Sequence, residues 1–158
     1  MRLTCFLCVL YFSWMAPAFP QEILLGYVVN VIDGDTVDLQ INAALQRIRL
    51  AEIDAPEKNQ LWGSESREAL EKKILDRSVR VVVTDVDRYG RNIGTIFFGK
   101  TSINQVMVLE GHAWVYRHYS NDQELIDLEE MARTDKVGLW SRTNPMPPWQ
   151  WRSQQRSN

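Results

Sequence analysis

Apolar residues recur with a spacing near two through the first half of the chain. Ile23 to Ile32 is rich in Val, Ile and Leu, and Thr36 to Ile41 alternates, with Val37, Leu39 and Ile41 on one face. Leu45, Ile48, Leu50 and Ile53 mark a third strand, and Asp33-Gly34 and Asn42-Ala43-Ala44 are the turns between the three. The spacing then changes. Trp62 to Arg77 reads as a helix with Leu70 and Ile74 one turn apart, followed by a second strand pair, Val79 to Val83 and Ile93 to Phe98, around the turn Asp87-Arg88-Tyr89-Gly90. Ser102 with Gln105 forms a capping box that opens a helix from Ile103 to Glu110. Asn121 with Glu124 does the same for a helix carrying Leu125, Leu128 and Ala132 that stops near Gly138.

Three strands, a helix, two strands and two helices predict a β-barrel with helices in the α+β class. Closure removes sticky sheet edges, and a five-stranded oligonucleotide-binding (OB-fold) barrel capped by about three α-helices has this size. The length of 158 residues suits one such domain, at 23–141, with no internal repeat. Residues 142–158 form an extension with Pro, Trp and Arg but no acid, which reads as a clamp folded over the barrel. Contact of that extension with nucleic acid is the alternative.

Apolar residues at 45% and charged residues at 24% exclude a disordered, collagen-like or polytopic membrane chain. The net charge of −2 excludes a protein that grips nucleic acid by bulk positive charge, so phosphate binding here must come from a few placed cations. The first residues stand apart: Arg2, an apolar run from Leu3 to Met15, and Ala16-Pro17-Ala18 as a small-x-small site. They predict a signal peptide at 1–18, cut after Ala18, and a secreted or periplasmic mature protein free of membrane. An uncleaved anchor is the rival. Cleavage removes Cys5 and Cys8, so the exported domain has no disulfide to hold it.

Candidate chemistry is concentrated between Asp33 and Glu57. Six carboxylates, Asp33, Asp35, Asp38, Glu52, Asp54 and Glu57, face two arginines, Arg47 and Arg49. Converging carboxylate oxygens repel one another, and a hard cation is the usual remedy. Taken alone, Asp33-Gly34-Asp35 also fits an ordinary hairpin turn, in which Asp-Gly is favoured for its backbone angles. Arg49 and Arg91 offer planar forks that match phosphate oxygens, and each also fits a surface ion pair.

Four stretches taken together resemble one family. Val31 to Val37, Arg49-Leu50-Ala51-Glu52-Ile53-Asp54-Ala55-Pro56-Glu57, Asp87-Arg88-Tyr89-Gly90-Arg91 and Gly138-Leu139-Trp140-Ser141 match the staphylococcal-nuclease-like (thermonuclease) family in order, from about Tyr27 to Ser141. The resemblance implies an OB-fold nuclease that depends on calcium, cuts DNA and RNA without regard to the sugar, and leaves 3′-phosphate ends. A monomer that takes DNA and RNA as substrates is the expected state. It implies Asp35 and Asp54 as calcium ligands with the carbonyl of Ala55, Arg49 and Arg91 as catalytic phosphate-binding arginines, and Glu57 as general base, with Asp33 behind the ligands. Ala55 stands where the family's best-known member has Thr, which keeps the backbone oxygen, and the segment from Glu57 to Gly63 is shorter than that member's lysine-bearing loop.

His112 and His118 are the only histidines and lack a third partner at zinc spacing. Trp114, Tyr116 and Tyr119 are divided between core packing and a base-stacking wall, with Tyr119 the best placed to meet a substrate. Trp140 reads as a core anchor. Two other functions compete with the nuclease: a non-catalytic nucleic-acid- or protein-binding OB-fold module, and an exported phosphodiesterase for small substrates.

Overall fold

The computed structural model describes residues 22–157, so the expected leader lies outside the described residues. Five long strands close into a barrel: β1 (Ile23–Asp33), β2 (Thr36–Ile41), β3 (Ala44–Leu50), β5 (Ser78–Val86) and β6 (Asn92–Phe98). The order is β3-β2-β1-β5-β6, and a parallel seam between β3 and β6 shuts the sheet through Ile48↔Asn92, Arg49↔Ile93 and Leu50↔Gly94. The five-stranded barrel read from the sequence is the barrel observed. Three short strands accompany it: β4 (Ile53–Asp54) pairs with β8 (Trp114–Val115), and β7 (Thr101–Ser102) extends β6.

Side-chain alternation fills the barrel. Val37 and Leu39 of β2 and Ile48 and Leu50 of β3 point inward and are buried. On β1 both Val28 and Val31 are buried although three residues apart, because the register skips from Val28↔Leu39 to Asn30↔Asp38 and the bulge reverses the parity. Two sequence expectations fail on the third strand. Leu45 is exposed, and the strand does not continue to Ile53: it ends at Leu50, and Glu52 turns the chain with φ of 65°. The turn is anchored by Ala51 N–H donating to the Gly94 carbonyl at 2.8 Å and by buried Asn104 Nδ2 donating to the Ala51 carbonyl at 2.9 Å.

Helix α1 (Gly63–Ile74) packs Leu70 and Ile74 into the barrel's open end, as their spacing predicts, but it stops before Arg77, where Asp76 adopts φ of 58°. Ser102 caps α2 (Ile103–Leu109) by accepting from Gln105 N–H. For α3 (Gln123–Thr134) the cap is Asp122, not Asn121: its carboxylate accepts from Glu124 and Leu125 N–H. Trp140, in the 3₁₀ turn Gly138–Ser141, packs edge-on against Trp114 at 4.3 Å between centroids, the anchoring role expected of it. The extension forms a fourth helix, α4 (Pro148–Ser157). Among the described residues no helix is long and apolar enough to cross a membrane.

Candidate active site

The β1–β2 turn, the end of β3 and the β4 loop meet at one end of the barrel. Asp35 opens β2, and its carbonyl accepts from Leu50 N–H at 2.8 Å, which draws the end of β3 alongside. Gly34 makes this approach possible for a reason the sequence reading did not give. Its φ is not in the left-handed range, but a Cβ there would sit 1.8 Å from Ser66 Oγ of α1 and 2.7 Å from Ala55 Cβ. The glycine is a packing requirement, not a turn-angle requirement.

Arg49 projects from β3 into this junction. Its Nη1 pairs with Asp35 Oδ1, while Nη2 donates to Asp54 Oδ1 at 2.8 Å and to the Ile53 carbonyl at 3.3 Å. One guanidinium therefore bridges the two acids. Asp35 and Asp54 are 4% and 1% exposed, so both charges lie away from water. Asp35 Oδ1 also accepts from Thr36 Oγ1, and Oδ2 accepts from Ala55 N–H at 2.6 Å, which fixes the carboxylate against the β4 loop. Behind it, Asp33 accepts from Asp35 N–H at 3.1 Å.

Burial makes charge on these acids costly. Burial and the neighbouring Asp35 push Asp33 up to about 7, and burial also raises Asp54. Burial alone would lower Arg49, but Asp35 and Asp54 hold it above its usual range. Among the described residues no three His, Cys, Asp or Glu side chains form a ligand cage. A cation here would be held by two carboxylates with main-chain and water oxygens, and that all-oxygen set fits a hard ion such as calcium.

The remaining expected residues are placed as follows. Glu57 lies past the β4 loop, with its N–H donated to Gln60 Oε1 at 3.1 Å. Arg91 makes its ion pair within its own turn, donating to Asp87 at 2.7 Å, the surface-pair alternative. Tyr119 is exposed, edge-on to Tyr116, whereas Trp114 belongs to the tryptophan cluster. His112 is structural: its Nδ1 accepts from Trp62 Nε1 at 3.3 Å, and burial lowers its pKa.

The residue that sequence reasoning missed is Arg152 of α4. Its Nη2 donates to Asp54 Oδ2 at 2.8 Å, and its Nη1 donates to Asp54 Oδ1 at 3.1 Å and to Glu57 Oε1 at 2.7 Å. The signal was present in an extension with arginines and no acid, facing an excess of acids.

The family model described as "Staphylococcal nuclease homologue" matches residues 47–142. The chain is 42% identical to "Micrococcal nuclease" of Shigella flexneri over 80% of its own length and 79% of that protein. It is also 42% identical to "Uncharacterized endonuclease" of Escherichia coli O157:H7, over 92% of this chain and 94% of that protein. A plant protein, "Probable staphylococcal-like nuclease CAN2" of Oryza sativa subsp. japonica, is 41% identical over 76% of this chain but only 33% of its own length. A closed five-stranded barrel, an acid and arginine cluster at its end and these relatives agree: the chain belongs to the staphylococcal nuclease family and is a nuclease.

Proposed function

We propose that this nuclease is a calcium-dependent endonuclease that hydrolyses DNA and RNA alike and leaves 3′-phosphate ends, working as a monomer outside the cytoplasm after cleavage behind Ala18. The observation that carries the reading is the pair of buried carboxylates, Asp35 and Asp54, bridged by Arg49, with Glu57 on the adjoining loop.

Asp35, Asp54 and the Ala55 carbonyl would hold the ion, whose chemistry there is to polarise a phosphoryl oxygen. Glu57 accepts a proton from the attacking water as its oxygen bonds to phosphorus. The P–O5′ bond breaks, the leaving oxygen takes up a proton from a solvent water, and the phosphate stays on the 3′ side. Arg49 already lies beside the acids and needs only to exchange a carboxylate oxygen for a phosphate oxygen. Together with Arg91, released from Asp87, it donates to non-bridging oxygens as negative charge concentrates on them.

The test is cleavage of long single-stranded DNA and RNA with calcium and with chelator. Both polymers should be cut internally with calcium only, and Glu57→Gln should lower kcat by about 10²–10⁴, as expected for a lost general base. Cleavage confined to dinucleotides would favour the small-substrate phosphodiesterase. Undiminished cleavage in chelator would remove the calcium assignment.

A further inference from the structure

Arg152 lies where the proposed chemistry has to happen. A single nitrogen, Nη1, is 3.1 Å from Asp54 Oδ1 and 2.7 Å from Glu57 Oε1, so it fills the ground between a cation ligand and the proposed base. Both oxygens of Asp54 are therefore engaged by cations: Oδ1 accepts from Arg49 and Arg152, and Oδ2 accepts from Arg152. A divalent cation approaching Asp54 meets the positive charge of Arg152 already set against both carboxylate oxygens, and like charges repel at that range, while the Oε1 side of Glu57 is held by Nη1.

The helix that carries Arg152 is shallowly packed. Of α4 only Pro148 is buried, in contrast to the inward faces of α1, α2 and α3. Beside it runs an open cleft of about 290 Å³, bordered by Trp62, Trp114, Met146 and, from α4, Trp151. Apart from Arg152, the extension is fastened by Trp149, stacked on Tyr116 at 5.4 Å and edge-on to Trp114 at 5.7 Å, and by Gln60 Nε2 donating to the Met146 carbonyl at 2.6 Å.

We propose that α4 is an autoinhibitory latch: docked, Arg152 closes the site by occupying Asp54 and Glu57, and divalent cation and docked helix exclude one another. The proposal rests on Asp54 as a cation ligand. When a cation takes Asp54, Arg152 withdraws, Glu57 is uncovered and the cleft opens to a polynucleotide. Because the two equilibria are linked, the docked helix weakens apparent cation affinity by the fraction of molecules that are open.

The experiment is calorimetric titration of the full chain with calcium, in the absence of nucleic acid, alongside hydrogen exchange of the α4 amides. Arg152→Ala should tighten calcium binding by about 10-fold to 100-fold, the change expected if about 1–10% of wild-type molecules are open. Trp149→Ala, which loosens the helix without touching a carboxylate, should also tighten it. In the wild type, saturating calcium should speed exchange across α4 relative to chelator. Equal affinity in wild type and both variants would overturn the latch and leave the metal assignment standing. Tightening by Arg152→Ala alone, with α4 exchange unaffected by calcium, would reduce Arg152 to a nearby repelling charge and overturn the latch too. No calcium binding to any of the three proteins would sink the latch together with the assignment of Asp54.

Discussion

Asp33 records its burial beside Asp35 in its own proton. Its carboxyl is pushed by burial and by Asp35 from an ordinary 3.8 to about 7. Below the ordinary value it is protonated in folded and unfolded chains alike. As pH rises the unfolded chain releases the proton first, so the folded chain binds more protons between about pH 4 and 7, and stability is lost through that window. Asp33→Asn retains an acceptor for Asp35 N–H and does not titrate. Its stability advantage over wild type, read by urea denaturation in chelator, should be larger at about pH 8 than at about pH 5. A constant difference would place the proton elsewhere. At this scale the sequence was legible where partners are near in the chain: Asp35, Arg49 and Asp54 fall within one pair of strands and the loop that follows. Arg152 was not, because its contact with Glu57 spans 95 positions and nothing local encodes it.

Elements were legible wherever one periodicity held throughout. The alternation of β2 and the spacing of Leu70 and Ile74 both led to buried residues, because each pattern belongs to one element with one face on the core. The reading failed where the backbone changes direction without a strong turn residue. Ala51-Glu52 carries neither Gly nor Pro, so the break between β3 and β4 is set by tertiary hydrogen bonds, one donated by Ala51 N–H to the Gly94 carbonyl and one donated by Asn104 to the Ala51 carbonyl. The bulge in β1 is equally silent. Gly34 shows the opposite case, a recognisable turn residue present for another reason. Gly34→Ala should destabilise the protein by about 1–3 kcal/mol, the usual cost of overpacking, since the new methyl meets Ser66 and Ala55. Thermal denaturation should show it, and calcium affinity should fall with it as the Asp35 loop is displaced. If Gly34→Ala kept the wild-type melting temperature, α1 would not press on this turn as described.

At the scale of the whole molecule, the barrel closes only where β3 meets β6, in parallel, across three residue pairs. Arg49 is the middle residue of β3 in that seam, so the bridging guanidinium of the site is seated by the closing contact of the sheet. The hairpins of β1, β2 and β3 are local and can form early. The seam joins strands separated by α1 and β5, and contacts between distant segments form slowly because the intervening loop must first be ordered. Refolding from urea should therefore recover nuclease activity with the slowest phase of barrel formation, and never ahead of it. Activity returning while the Ala51 amide, which donates to Gly94 across the seam, still exchanges freely would refute this. A chain emerging from its N-terminus thus displays both acids and Arg49 long before it can cut anything: the molecule is harmless to nucleic acid until its last barrel strand arrives, and its own topology acts as the timer.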